Sequence, residues 1–335
     1  IRATRRLFAT ATPRVYAKPT RSRLEDLEDV DASMDDVEHF GVEAHRLWFK
    51  RAVELGRLVD YRLSVVVVTD EEVHRLVHDR AYGDVQGRTV DAETLAALIA
   101  VRRAVGELGV KRVITFHHTI KRAHDFAREL ERLELDTPPV AAEHISGSMS
   151  MADRQRVLAR LKEPEQPTVV TNARCLTEGI DVPALGAVAF VDPRSAPVDI
   201  VQAVGRVMRI AKGKELGHVI VPVYLTEDQL ADPEAAIESS AFEPVLAVLR
   251  ALRAHDPELV TDATRIATSL GRRDAVVGGY ISGHIQVLGV NLDVAGFEQA
   301  LELRFVEVAA DRWETGFEHL RQYANEAGHA WPVTS

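Results

Sequence analysis

The sequence predicts an α/β chain organised around a doubly wound parallel sheet, and three observations carry that prediction. Between residues 61 and 226 the strand-like segments are apolar throughout instead of alternating, as strands buried on both faces must be. Amphipathic segments of about 10 to 15 residues separate most of them, the length of helix that joins parallel strands. The two kinds of segment follow one another in regular order, which is the pattern of a sheet covered by helices on both faces.

The first strand is the β-branched run Leu63 to Val68, entered from the helix-like "HRLWFKRAVEL" through a turn near Gly56. Leu95, Leu98, Ile99, Val105 and Leu108 then recur at helical spacing. "KRVITFHH" reads as a strand, "TIKRAHDFARELERL" as a helix and "VAAEHISG" as a strand. "SMADRQRVLARL" follows as a helix, with Ser150 and Asp153 spaced as a capping box. "PTVVTN" and "AVAFVDP" are strands, "APVDIVQAVGRVMR" is a helix and "GHVIVPVYL" is a strand. Beyond this α/β region a smaller helical and hairpin-containing region is expected: 234–270 reads as helical and "AVVGGYISGHIQVLGV" as a small hairpin. Trp313, Phe317, Leu320 and Ala324 fall on one stripe of a helix near the end.

Composition narrows the function classes. With 41 basic and 51 acidic residues among 335, the net charge of −10 excludes a protein that coats nucleic acid by overall charge, so any such binding must be local. The single Cys175 excludes an internal disulfide framework and fits a reducing cytoplasm. Scattered histidines with one cysteine offer no ligand set at metal spacing, so no metal is expected on these residues. No purely apolar run, Val65 to Val68 included, approaches the roughly 20 residues a membrane helix needs. Charge reverses sharply near the start: residues 1–24 carry seven basic and no acidic side chains, and residues 25–38 carry eight acidic and no basic. That reversal reads as a solvated linker. The basic stretch "RRLFATATPRVY" suits either an organelle transit peptide or the end of a preceding domain, and a chain that opens on Ile1 is expected to continue upstream.

Ligands of open parallel sheets gather beyond the carboxyl ends of the strands, so residues there are the first candidates. After "VITF" come His117, His118 and Thr119, the last placed to cap a helix whose free N–H groups suit a phosphate. The alternative is a cap and nothing more. After "PTVV" come Thr171, Asn172 and Arg174, then Gly179 and Asp181, where glycine admits a close backbone and the carboxylate a ribose hydroxyl. A plain turn accounts for the same glycine and aspartate. On the helix "QAVGRVMR", Gln202, Arg206 and Arg209 lie at i, i+4 and i+7, within an arc of about 60°. Four basic and no acidic residues lie between Gln202 and Lys214, a local reversal of the chain's acidity. Converging guanidinium groups suit charge stabilisation on a transferring phosphoryl group, whereas a solvated surface helix is the bland reading.

In order along the chain, these stretches resemble the second RecA-like lobe of a superfamily 2 DEAD/DEAH-type helicase. "ITFHHTI" resembles motif IV, "TNARCLTEGIDVPAL" motif V, and "QAVGRVMR" the Q-x-x-G-R-x-x-R of motif VI. "FATATPRVY" resembles motif III at the end of the first lobe, followed by the Pro-Arg-hydrophobic-Tyr of restriction-type helicases, which answers the transit-peptide question. "DRWETGFEHLRQYANEAGHAWP" is similar to the start of a helicase-associated repeat. The resemblance implies four regions: 1–60, the end of the first lobe and an acidic linker; 61–226, the second lobe; 227–305, an accessory region; and 306–335, the repeat. It implies that Arg209 is the arginine finger, supported by Arg206 and by Gln202 as nucleotide sensor, with Gly179 and Asp181 at the ribose. His118, Thr119, Thr171, Asn172 and Arg174 are implied to contact a nucleic-acid backbone, and Thr10, Ala11 and Thr12 to couple nucleotide state to grip. The implied cofactors are ATP and Mg2+, and the implied partners DNA, with RNA as the second choice, and an N-terminal RecA-like lobe. No G-x-x-x-x-G-K-[ST] loop or acidic box occurs in this sequence, so this portion alone is expected to be inactive. A non-catalytic interaction module derived from a helicase lobe is the alternative.

Overall fold

The computed structural model describes residues 7–10, 34, 36–80, 90–135, 137–173, 184–192, 197–253, 284–290 and 292–309. The chain divides into two compact units, Ile1–Trp48 and Phe49–Ser335. In the first, helix α1 (Val37–Phe40) is capped by Asp36, whose carboxylate accepts from Glu38 N–H, and the ring of Phe40 meets that of Phe8 edge to face at 5.1 Å. Thr10 lies exposed in this unit.

The second unit is built on seven parallel strands. After helix α2 (Phe49–Glu54) and a turn that places Gly56 at φ 61°, the chain forms β1 (Asp60–Thr69), α3 (Asp70–Arg80), α4 (Ala92–Glu107), β2 (Arg112–Phe116) and α5 (Ile120–Arg132). It continues with β3 (Ala141–Ile145), α6 (Met151–Lys162), β4 (Thr168–Asn172), β5 (Ala187–Phe190), α7 (Pro197–Val207) and β6 (Leu216–Leu225). The order across the sheet is β3-β4-β2-β5-β6-β1, with β7 (Ile285–Leu288) outermost beside β1. The strand and helix assignments made from hydrophobic pattern within 61–226 are reproduced within a few residues.

Period-2 geometry explains why these strands are apolar throughout. Leu63, Val65 and Val67 of β1, Ile114 and Phe116 of β2, and Val188 and Phe190 of β5 enter one core layer, covered by α6, α7 and helices further along the chain. Val66 and Val68, Val113, and Ala187 and Ala189 enter the opposite layer, covered by α4 and α5. Neither face of a central strand meets water, so no position asks for a polar residue.

The region after β6 differs from expectation. The sequence places 227–305 outside the α/β domain, yet β7 joins the sheet in parallel register with β1, Leu63 beside Ile285 and Val66 beside Leu288. Helices α8 (Glu227–Leu230), α9 (Pro233–Glu238), α10 (Glu243–Arg253) and α11 (Val294–Ala309) follow β6. Ile237, Leu249, Phe297 and Leu301 from these helices sit in the same core layer as Val207 and Val221. The described part of this region is thus a continuation of the lobe. The expected hairpin, the end of the 234–270 helix and the repeat-like tail fall mainly or wholly outside the described residues. Among the described residues no helix is long and apolar enough to cross a membrane.

Candidate functional site

The candidate residues separate to the two opposite edges of the sheet. At the carboxyl edge, β2 runs out into His117, His118 and Thr119. Thr119 caps α5, its hydroxyl accepting from Arg122 N–H at 3.1 Å, while its own side chain stays exposed beside exposed His118, Ile120 and Lys121. His117 is buried: its N–H donates to Asn172 O at 2.9 Å, its Nε2 lies 2.8 Å from Thr115 Oγ1, and its ring packs on Phe126.

A carboxylate absent from the sequence-based candidates organises this edge. Asp192, just beyond β5 and buried, accepts from His118 N–H at 2.9 Å and from Arg122 Nε at 2.9 Å. Its other neighbour is His117 Nδ1 at 3.8 Å. One side chain therefore ties the ends of β2 and β5 to the first turn of α5. The signal was available: an aspartate directly after an apolar strand in a parallel sheet stands where neighbouring strand ends and helix N-termini converge.

Thr171 and Asn172 are interior residues. Both are 0% exposed. Thr171 Oγ1 donates to Ala123 O at 2.7 Å and lies 3.2 Å from His144 Nδ1, and Asn172 Nδ2 donates to Thr115 O at 2.9 Å. Thr171 Oγ1 and Asn172 Nδ2 thus join β4 to α5 and β2. Arg174, Gly179 and Asp181 lie outside the described residues, as do Ala11 and Thr12.

Helix α7 carries the chain from the carboxyl edge back to the opposite one. Ile200, Val201, Ala203, Val204 and Val207 are buried, and Gln202, Gly205 and Arg206 lie on the partly exposed side; the helix ends at Val207, so Arg209, expected on the same helix, lies two residues past it, partly exposed, in a bridge with Leu58. A Cβ on Gly205 would meet nothing within 4 Å, so that side is open. The end of α7 rests against the starts of two strands. Val59 N–H, just before β1, donates to Met208 O at 2.8 Å, Leu58 and Arg209 form an antiparallel bridge, and a Cβ on Gly217 of β6 would stand 2.5 Å from Val207 O. Arg209 and Thr119 are therefore separated by the height of the sheet, about 16 Å for a five-residue strand. The expectation that all three candidate stretches gather at the carboxyl edge does not hold for this one, because an 11-residue helix returns the chain to the other side.

Electrostatics at this second edge are dominated by basic groups. Lys214 donates from Nζ to Val207 O and, at 3.0 Å, to Arg209 O, and burial pushes its pKa down to about 8. His218 is held below the ordinary imidazole range by burial first, then by the charges of Arg62 and Lys214. Among the described residues no group of three or more His, Cys, Asp or Glu side chains could hold a metal ion.

Residues 94–211, from the start of α4 to just past Arg209, match the helicase conserved C-terminal domain. This segment is similar to the C-terminal lobe of superfamily 2 helicases. The lobe is similar to a protein of African swine fever virus (isolate Pig/Kenya/KEN-50/1950) described as a probable helicase, 25% identical over 256 residues that make up 75% of this chain. The chain spans 26% of the length of that relative. It is also similar to the structure of the ATP-dependent Type ISP restriction-modification enzyme LlaBIII bound to DNA, with a TM-score of 0.70 and 25% identity over 95% of this chain and 21% of that one. The second unit is thus RecA-like in fold.

Proposed function

We propose that the chain supplies the second lobe of an ATP-dependent nucleic-acid translocase, and that α7 is its nucleotide-facing element. The observation that carries the reading is the partly exposed side of α7 bearing Gln202 and Arg206 beside an open Gly205, with Arg209 two residues past the helix end, anchored on the other side by five buried apolar residues. Two guanidinium groups and an amide on a rigid, accessible face fit the charge and hydrogen-bonding capacity of a triphosphate. Bound ATP would bring the phosphoryl group whose transfer drives the cycle. Arg209 then acts as the finger on the transferring phosphoryl, Arg206 supports it, Gln202 senses the nucleotide, and Gly179 with Asp181 reaches the ribose. Mg2+ belongs to an N-terminal lobe that would also hold the phosphates, since no described acidic cluster here suits it.

At the opposite edge, exposed His118 and Thr119 contact the backbone of a DNA or RNA strand, held in place by Asp192, and Arg174 extends that contact. This is binding without sequence readout. DNA is the first candidate, because the solved relative of similar fold is a DNA-bound enzyme. Thr10, Ala11 and Thr12 couple nucleotide state to grip. A nucleotide edge and a strand-gripping edge on one stiff sheet allow closure at the first to change grip at the second, which is stepping.

The test is Arg209→Ala in the full-length protein. Nucleic-acid-stimulated ATPase is expected to fall by about 10³-fold or more, the contribution of an arginine finger, while the circular-dichroism spectrum and melting transition stay those of the wild type. Wild-type turnover in this variant removes α7 from the nucleotide site and leaves an interaction module.

A further inference from the structure

A helix leaves its last carbonyl groups without intrahelical donors, and whatever supplies those donors fixes the direction of the terminal residues. At the end of α7 the donors come from outside the helix. Met208 O takes Val59 N–H, and Val207 O and Arg209 O both take the ammonium of Lys214. Lys214 reaches back because the intervening turn is tight: its N–H donates to Ala211 O at 3.1 Å and Gly213 adopts φ 76°, a conformation that favours glycine. A positive charge at the carboxyl end of a helix is also favoured by the aligned peptide dipoles. The backbone carrying the arginine is therefore clamped from two directions, by the Leu58 bridge and by one lysine.

We infer that Lys214 is the positioning residue of Arg209, holding the backbone from the end of α7 to Arg209 so that its guanidinium projects toward the nucleotide. The inference rests on the reading of Arg209 as the finger. It adds a residue that lies outside the matched helicase segment, three positions past its end. Other charged or titratable groups at this corner are Arg206 on α7, Arg62 and Asp60 on β1, and His218 on β6, with exposed Glu215 next in the chain. His218 feels Lys214 as a repulsive charge, so the lysine is charged at a site that does not relieve the cost of burying it. Its ammonium is consequently poised to lose a proton at mildly alkaline pH, which makes the clamp readable in a pH profile.

The experiment measures nucleic-acid-stimulated ATPase of the full-length protein and of Lys214→Met, Lys214→Arg and Arg209→Ala. Lys214→Met is expected to lower kcat by about tenfold or more, a part of the about 10³–10⁵ that a finger supplies, with KM for ATP and affinity for single-stranded DNA within about twofold, because only the transition-state contact is misplaced. Lys214→Arg is expected to recover most of kcat. It should also remove the loss of activity that the wild type shows above about pH 8, since a guanidinium stays charged there. If Arg209→Ala turns over like the wild type, the reading of α7 has failed. If Arg209→Ala is inactive and Lys214→Met is not impaired, the positioning inference alone has failed. Losses in kcat, KM, DNA affinity and melting temperature together would reduce Lys214 to a structural residue. Should Lys214→Met not fold, the Lys214→Arg profile decides: an alkaline limb identical to the wild type overturns the inference.

Discussion

A Cβ placed on Gly205 would meet nothing within 4 Å, although the residue sits inside α7 beside buried Val204 and Ala203. Glycine in a helix interior is destabilising by roughly 0.5–1 kcal/mol relative to alanine, so a glycine kept where the fold has room for a methyl group serves something other than the fold. Gly205→Ala is expected to raise the unfolding free energy from urea titration by the corresponding amount and to lower nucleic-acid-stimulated ATPase, because the added methyl stands beside Gln202, one turn away on the side proposed to receive nucleotide. A more stable variant with unaltered ATPase would mean that no partner approaches that side. Stability and activity move in opposite directions here, which a purely structural role for α7 does not produce.

At the scale of elements, the strands and helices of 61–226 were legible because each is buried on a side that its own sequence records. The continuous valines of β1 report two covered faces, and the apolar stripe of α7 reports one. Partnership across the chain was not legible. β7 is four residues long and pairs with a strand more than 200 positions earlier, and local pattern carries no such distance. The interior roles of Thr171 and Asn172 were hidden for a related reason: a hydroxyl or amide after an apolar strand looks the same whether it faces a ligand or the backbone of a neighbour. Lys214 escaped notice because it acts through backbone carbonyls, and Asp192 because it joins a backbone N–H to an arginine more than 60 positions away, which no local side-chain motif describes. The interior role of Thr171 is testable. Thr171→Val keeps the shape but loses the hydrogen bond to Ala123 O between β4 and α5, so it is expected to lose about 1–2 kcal/mol by urea unfolding. Affinity for single-stranded DNA in a fluorescence anisotropy titration should be unchanged. Weakened DNA binding at full stability would return Thr171 to the ligand-facing edge.

Across the whole molecule, one sheet holds two chemically different edges, and a half-buried histidine sits toward each of them. His144 on β3 is held below its ordinary pKa by burial first, then by the charge of His124, against a smaller opposing hydrogen bond with Thr171. His218 on β6 is held low by burial, Arg62 and Lys214. His144 Nε2 and His218 Nδ1 are buried and have no hydrogen-bond partner among the described residues, so a charged ring at either place keeps an unsatisfied N–H. The sign of the pH dependence follows. Between the unfolded value near 6.5 and the lower folded values, the unfolded chain binds more protons than the folded one, so unfolding free energy rises with pH in that window. Acidification through pH 6.5 therefore drains stability from both ends of the sheet, even though each ring is neutral and harmless above it. The urea midpoint is expected to fall between pH 7.5 and about 5.5, and the double variant His144→Asn, His218→Gln to show a shallower fall than the wild type over the same interval. Carboxylates that titrate in this range are common to both proteins, so the difference in slope isolates the two imidazoles. Identical slopes would mean that neither histidine is kept neutral by the fold, and that the basic crowding around Lys214 does not extend to β6.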